Sequence, residues 1–205
     1  FLYFFKFFFY FFIRSTFYKN YSRVIAKFLN IKKYKYSFVY FVNMKAFFLD
    51  RDGIINEERG TYTYQLQDFI ILPHVLEVLI SLKDLGFKLI VITNQAGISK
   101  GLYTKKQMKV CHDFLQIKSQ NIIDDFYYAP LHPKISESLS RKPDSLMFER
   151  AIAKHNIVVS ESYMIGDKER DLIPARKLGI ATIFLGNTVI SKYADYSIKN
   201  ISQVL

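Results

Sequence analysis

From residue 44 onward, runs of consecutive apolar residues alternate with stretches in which apolar residues recur every three or four positions. The continuous runs "KAFFLD", "FKLIVIT", "DFYYAP", "SYMIG" and "ATIFL", with a last short piece at "DYSI", predict strands buried on both faces. Between them lie helical patterns. The stretch "PHVLEVLISLKDLG" opens on Pro73, places Val75, Leu76, Leu79 and Leu82 at helical spacing and stops at Gly86. Further helices are predicted over about 105–119, 144–155 and 170–178. Strands that alternate with helices in this way predict an α/β fold, a doubly wound parallel sheet with helices on both faces. Ligands of such sheets bind beyond the carboxyl ends of the strands.

The first 43 residues break the pattern. They are dominated by Phe, Tyr, Lys, Asn and Ile, contain no Gly, Pro, Asp or Glu, and show no helical period. The apolar run 1–13 is interrupted by Lys6 and is shorter than the roughly 20 residues a membrane-spanning helix needs. It also lacks the basic region and small-residue cleavage site of a secretory signal. The reading favoured is in-frame translation of AT-rich sequence upstream of Met44. An aromatic and basic segment is also the composition of an interfacial membrane anchor, the alternative kept for residues 1–43.

Charge follows the same boundary. Of the net +11, residues 1–43 carry eight basic residues and no acid, so 44–205 holds 21 basic against 18 acidic residues. That near-balance lacks the basic stripe of a nucleic-acid binder, and no nucleic-acid partner is expected. The single cysteine, Cys111, rules out an intrachain disulfide and a multi-cysteine zinc site, and fits a reducing compartment. A cytoplasmic monomer acting on a phosphorylated small molecule is the expectation.

Polar residues gather at the strand ends. Asp50 and Asp52 follow the first run, Thr93 and Asn94 the second, Arg141 and Lys142 precede a helix, and Asp167 and Lys168 follow "SYMIG". Singly, these are a solvated turn, loop chemistry, a basic pair and a helix cap. Together they bring acids, a hydroxyl and bases to one end of one sheet, which capping does not explain. The set fits phosphoryl transfer to a carboxylate. Asp50 would attack phosphorus, and Asp52 would protonate the leaving oxygen and later activate water. Mg²⁺ would be held by Asp50, the main-chain carbonyl of Asp52 and Asp167, while Thr93 and Lys142 would hold the phosphoryl oxygens.

The stretches "FLDRDGIIN", "VITNQAGISKG", "RKPDSLMFERA" and "MIGDKERD" resemble, in order, the motifs of the haloacid-dehalogenase (HAD) superfamily phosphatases. More narrowly, residues 44–205 are similar to the heptose 1,7-bisphosphate and histidinol-phosphate phosphatases. The resemblance implies an HAD-like fold without a cap domain, Asp50 as nucleophile, Asp52 as acid and base, and Asp167 as third magnesium contact. It implies that Thr93 and Lys142 stabilise the phosphoryl group and that Arg141 recognises substrate. Lys168 would also touch substrate, as would the loops Glu58, Arg59, Gly60, Thr61 and Thr93, Asn94, Gln95, Ala96.

One departure concerns a zinc loop that bacterial heptose-bisphosphate phosphatases carry before the Arg-Lys-Pro stretch. Its four ligand places here are Ala129, Leu131, Ser138 and Ser140, which supply no thiolate or imidazole, and a lone His132 remains. Zinc is therefore expected to be absent, and the substrate-recognition loop to differ. The leading function is a magnesium-dependent phosphatase of a sugar bisphosphate, with histidinol phosphate as the alternative substrate. A membrane-tethered form using residues 1–43 and a silent binding protein are the other classes, the last disfavoured because no core catalytic residue is substituted.

Overall fold

A computed structural model of the chain describes residues 43–186 and 191–205. The reading of residues 1–43, as translated upstream sequence or as an anchor, falls outside the described residues except for Asn43.

Six strands form one sheet: β1 (Ala46–Leu49), β2 (Lys88–Asn94), β3 (Asp125–Ala129), β4 (Tyr163–Gly166), β5 (Ala181–Leu185) and β6 (Tyr196–Ile198). The order is β3-β2-β1-β4-β5-β6 and every pairing is parallel. Four helices connect them: α1 (Val75–Asp84), α2 (Lys105–Lys118), α3 (Leu146–His155) and α4 (Glu169–Lys177).

The period-two geometry of the strands divides the core into two layers. Phe47, Leu49, Leu89, Val91, Ile165 and Ile183 point to one side, where Val75, Val78, Leu79 and Leu82 of α1 and Cys111 and Leu115 of α2 cover them. Ala46, Phe48, Ile90, Ile92, Ala129 and Met164 point to the other, against Met147, Phe148 and Ala151 of α3 and Leu172 and Ala175 of α4. The sheet is thus doubly wound, as the apolar runs predict. Burying one Phe or Leu contributes about 1.5–3 kcal/mol, so truncating Phe48, which is fully buried between β-layer and α3, costs roughly 3–5 kcal/mol.

One helix face and two helix starts differ from those the sequence predicts. In α1 the buried set is Val75, Val78, Leu79 and Leu82, and Leu76 is only partly buried. Spacing of three, four and seven residues from Val75 defines one stripe, and Leu76 sits about 100° away from it. Helix α3 begins at Leu146 instead of near 144 because 141–144 are held in a turn, with Asp144 N–H donating to the Arg141 carbonyl at 2.8 Å. Helix α4 begins one residue early, at Glu169, because the Asp171 carboxylate accepts from the Lys168 backbone N–H at 3.2 Å and extends the first turn back.

Strand order reverses between β1 and β4, so their carboxyl ends leave a crevice between neighbouring strands whose connections run in opposite directions. Among the described residues no additional sheet or helical domain is inserted in the connections.

Candidate active site

At the end of β1 the backbone N–H of Asp50 still donates to Ile165 of β4, at 3.1 Å, which fixes Asp50 beside the β4 terminus where Asp167 follows. The turn after Asp50 comes within van der Waals distance of Asp167. A Cβ at Gly53 would stand 2.5 Å from Asp167 Oδ2, and φ there is +90°, so this position takes glycine for both reasons.

Lys142 reaches into the same crevice from the loop before α3. Its side chain is wholly buried, with Nζ 2.8 Å from Asp50 Oδ1, 2.8 Å from Asp171 Oδ1 and 2.6 Å from the Ile92 carbonyl that accepts from it. Burial pulls the ammonium toward the neutral form, and the carboxylates of Asp171 and Asp50 more than reverse this, so Lys142 titrates above its ordinary range. Asp171 is 0% exposed. It belongs to the first turn of α4, where a lone acid reads as a partner of the helix dipole, and the sequence analysis did not select it. Its neighbour Gly166 leaves room for it, since a Cβ there would lie 2.5 Å from Asp171 Cβ.

Asp50, Asp167 and Asp171 each offer an oxygen, all within 4.8 Å of one another, and form the one cluster of this kind found among the described residues. Burial, then the charge of Asp171, raises the Asp50 pKa to about 6, although Lys142 draws it down. Burial and the charge of Asp50 likewise raise Asp167. Lys142, together with Lys168, which lies 3.5 Å from Asp167 Oδ2 and is shared with Glu58, still leaves a surplus of negative charge, and Asp167 Oδ1 is buried without a hydrogen-bond partner among the described residues. A small divalent cation fits that surplus and that free oxygen.

Asp52 is turned toward a different set of groups. Its Oδ1 accepts from Arg51 at 2.8 Å and from Asn56 Nδ2 at 2.9 Å, and its Oδ2 accepts from Arg51 at 3.0 Å and from Gln95 Nε2 at 3.3 Å. Arg51, fully buried between the two aspartates in sequence, also donates to the Thr63 carbonyl at 2.8 Å and lies over the Phe69 ring. A buried guanidinium so placed needs its carboxylate.

A cavity of about 570 Å³ opens over these residues, lined by Asp50, Arg51, Asp52, Thr93, Asn94, Gln95, Glu58, Gly60, Thr61, Tyr62, Thr63, Lys168 and Arg170. Lys168 pairs with Glu58 across it. Arg141 and Lys142 line an adjoining cavity of about 530 Å³ under the loop 133–144. Two of the sequence-selected substrate residues are elsewhere. Arg59 turns its guanidinium to Asp68 at 2.9 Å, and Ala96 is buried behind the loop, its carbonyl accepting from Ser99 and Lys100. Asn94 lines the cavity but its amide is already committed: Nδ2 donates to the Lys142 carbonyl and Oδ1 accepts from the Lys142 N–H, both at 3.1 Å. It holds the lysine loop in place. His132 Nδ1 accepts from the Lys134 N–H at 3.2 Å and closes its own turn.

Arg170, which lies within the stretch "MIGDKERD" but carries no site role from the sequence, also lines the cavity. Its Nε and Arg141 Nη1 are buried polar atoms without partners among the described residues. Burial and the neighbouring Arg170 charge hold Arg141 below the usual guanidinium range, with Tyr62 acting against them.

Comparison with known proteins agrees with this geometry. Residues 16–185 match the family model described as haloacid dehalogenase-like hydrolase. The chain is 35% identical over 153 residues to the D-glycero-beta-D-manno-heptose-1,7-bisphosphate 7-phosphatase of Haemophilus ducreyi, covering 70% of this chain and 84% of that protein. It is 36% identical over 154 residues to the D-glycero-alpha-D-manno-heptose-1,7-bisphosphate 7-phosphatase of Photorhabdus laumondii, covering 71% and 84%. Among solved structures, the D,D-heptose 1,7-bisphosphate phosphatase from B. bronchiseptica, complexed with magnesium and phosphate, shares the fold with a TM-score of 0.72 at 22% identity, covering 78% of this chain and 96% of that one. The chain belongs to the haloacid dehalogenase-like hydrolase family, and within it is a phosphatase.

Proposed function

We propose that the chain hydrolyses a phosphate ester of a sugar bisphosphate, D-glycero-D-manno-heptose 1,7-bisphosphate, through a phosphoryl group carried on Asp50. The observation that carries this reading is the bridge of Lys142 Nζ between Asp50 and Asp171, 2.8 Å from each. It fixes a carboxylate nucleophile and leaves a cationic group where negative charge gathers in the transition state.

Asp50 attacks phosphorus while Asp52 gives a proton to the departing sugar oxygen, forming the aspartyl phosphate. Asp52, now ionised, takes a proton from water, which attacks the same phosphorus and releases inorganic phosphate and free Asp50. Thr93 and Lys142 hold the non-bridging oxygens in both steps. Asp50, Asp167 and the main-chain carbonyl of Asp52 would hold Mg²⁺, whose charge offsets that of nucleophile and phosphate. Asp171, though near, is engaged by Lys142 and by the Lys168 N–H. No structural zinc is assigned to the loop 129–140.

The heptose bisphosphate is favoured over histidinol phosphate because the relatives at 35% and 36% identity are named for the heptose enzymes. The cleft supports this reading: Lys168 and Arg170 line it and Arg141 neighbours Arg170, a cationic setting for a second anion, whereas histidinol phosphate would bring an ammonium. A phosphate-release panel of both anomers of the heptose bisphosphate, fructose 1,6-bisphosphate and histidinol phosphate tests this, with chelation followed by magnesium or zinc add-back. The heptose should lead in kcat/KM by at least about tenfold, a difference of about 1.4 kcal/mol, with activity restored by magnesium. Faster turnover of histidinol phosphate, or restoration by zinc alone, would overturn the assignment.

A further inference from the structure

Behind the cavity, Gln95 makes contacts that the reaction scheme above does not use. Its Nε2 donates to Thr93 Oγ1 at 2.9 Å and to Asp52 Oδ2 at 3.3 Å, and its Oε1 accepts from the hydroxyl of Tyr103 at 2.6 Å. With Asp52 ionised, the amide faces this way. An ionised Asp52 offers acceptors alone, so the atom toward it must be the NH₂, and the carbonyl is left to the phenol. One amide nitrogen thereby uses both protons, one on the acid/base carboxylate and one on the phosphoryl-binding hydroxyl. Because Thr93 Oγ1 accepts, its own O–H is free to be aimed at a phosphoryl oxygen.

Tyr103 is built to hold that amide. It is 4% exposed and its ring stacks on Tyr64 with centroids 4.9 Å apart and planes 7° from parallel. On its other side the chain is glycine: a Cβ at Gly97 would lie 2.1 Å from Tyr103 Cε1. Burial pushes the phenol above its ordinary pKa, so it stays a donor throughout the working range. Tyr103 does not touch the space where substrate reacts, and no apolar residue at this position would need a hydroxyl.

We infer that Tyr103 and Gln95 are a positioning pair, which sets the orientation of the Asp52 carboxylate and the Thr93 hydroxyl together through a single amide. The inference rests on the roles given above to Asp52 and Thr93. Without the phenol, the amide is free to rotate, and the two groups lose their common register without losing their identities. A misplacement of this kind lowers the rate of the chemical steps more than it weakens binding.

The test measures phosphate release from heptose 1,7-bisphosphate, or from fructose 1,6-bisphosphate if the panel favours it, by wild type, Tyr103→Phe, Gln95→Met, the double variant and Asp52→Asn. Tyr103→Phe keeps the ring, its stack and its contact with Gly97. It should lower kcat about tenfold with KM within about twofold, and lower the melting temperature by only a few degrees for the buried Gln95 carbonyl left without its partner. Gln95→Met should lose at least as much, and adding Tyr103→Phe to it should cost nothing further, because the phenol acts only through the amide. Wild-type kcat in Tyr103→Phe, or losses that multiply in the double variant, would overturn the pairing. If Gln95→Met does not fold, Tyr103→Phe alone decides. Normal turnover by Asp52→Asn would instead sink the acid/base reading, so the two failures are distinct.

Discussion

A lysine with no exposed side chain, whose ammonium lies 2.8 Å from each of two carboxylates and 2.6 Å from a carbonyl, stays charged because those partners offset the cost of burying it. In the proposed mechanism Asp50 is the reacting partner and Asp171 the one that does not react. Replacing Asp171 with Asn keeps its size and removes the charge, leaving Lys142 on Asp50 alone. The variant should lose about 1.5–3 kcal/mol of stability, the range for a hydrogen bond to a charged group, and its kcat should fall at least tenfold, since Lys142 is then drawn toward the nucleophile. Denaturant melts and steady-state kinetics measure both, and an unchanged kcat would show that Asp171 only supports the fold. At this scale the sequence was most informative about residues that follow apolar runs. Asp50, Asp52, Thr93 and Asp167 are legible because each ends a buried strand. Asp171, Arg170 and Tyr103 are not, because each sits where a solvated helix turn or a loop aromatic is the ordinary reading, and only tertiary packing turns it inward. Arg59 and Ala96 are turned away from the cavity for the opposite reason: lying in a loop at the site does not decide which way a side chain turns.

Elements impose their own consequences. The continuous runs in β1, β2, β4 and β5 are legible as buried parallel strands because both faces are covered, and the helix faces follow from spacing once the first helical residue is known. Helix starts are less so, since Asp144 and Glu169 are placed by turns and by a side chain reaching back. Helix α2 carries a titratable group that packing has silenced. His112 is buried, stacks on Phe126 with centroids 4.6 Å apart, and has no partner for Nε2 among the described residues. Burial, aided by the Arg51 charge, lowers its pKa to about 3 from an ordinary 6.5. The folded state therefore refuses a proton that the unfolded state takes. This contribution is fully present above pH 6.5 and is lost as pH falls from there toward 3, at up to about 1.4 kcal/mol per pH unit. The raised pKa of Asp50 acts with the opposite sign below pH 6, so the wild-type curve alone does not isolate the histidine. The difference between wild type and His112→Phe does: relative to the variant, wild type should lose about 1.2 kcal/mol between pH 7 and 5.5. Parallel stability curves over that range would mean His112 is protonated in the fold.

For the residues described, the doubly wound order β3-β2-β1-β4-β5-β6 explains why four separated motifs meet. Asp50 and Asp167 end the two strands between which the winding reverses, and the loops after β2 and before α3 deliver Thr93 and Lys142 to the same crevice. No described helix is long and apolar enough to cross a membrane. What the whole molecule does depends on whether Asp50 carries the phosphoryl group, and rapid mixing answers this most directly. Enzyme and heptose bisphosphate are quenched in acid within milliseconds, digested and mapped by mass spectrometry. One phosphoryl group should appear on the peptide containing Asp50, persist longer in Asp52→Asn, and be absent from Asp50→Asn, which should show no turnover. Near-normal phosphate release by Asp50→Asn, or a phosphoryl group mapped to any other side chain, would contradict the mechanism.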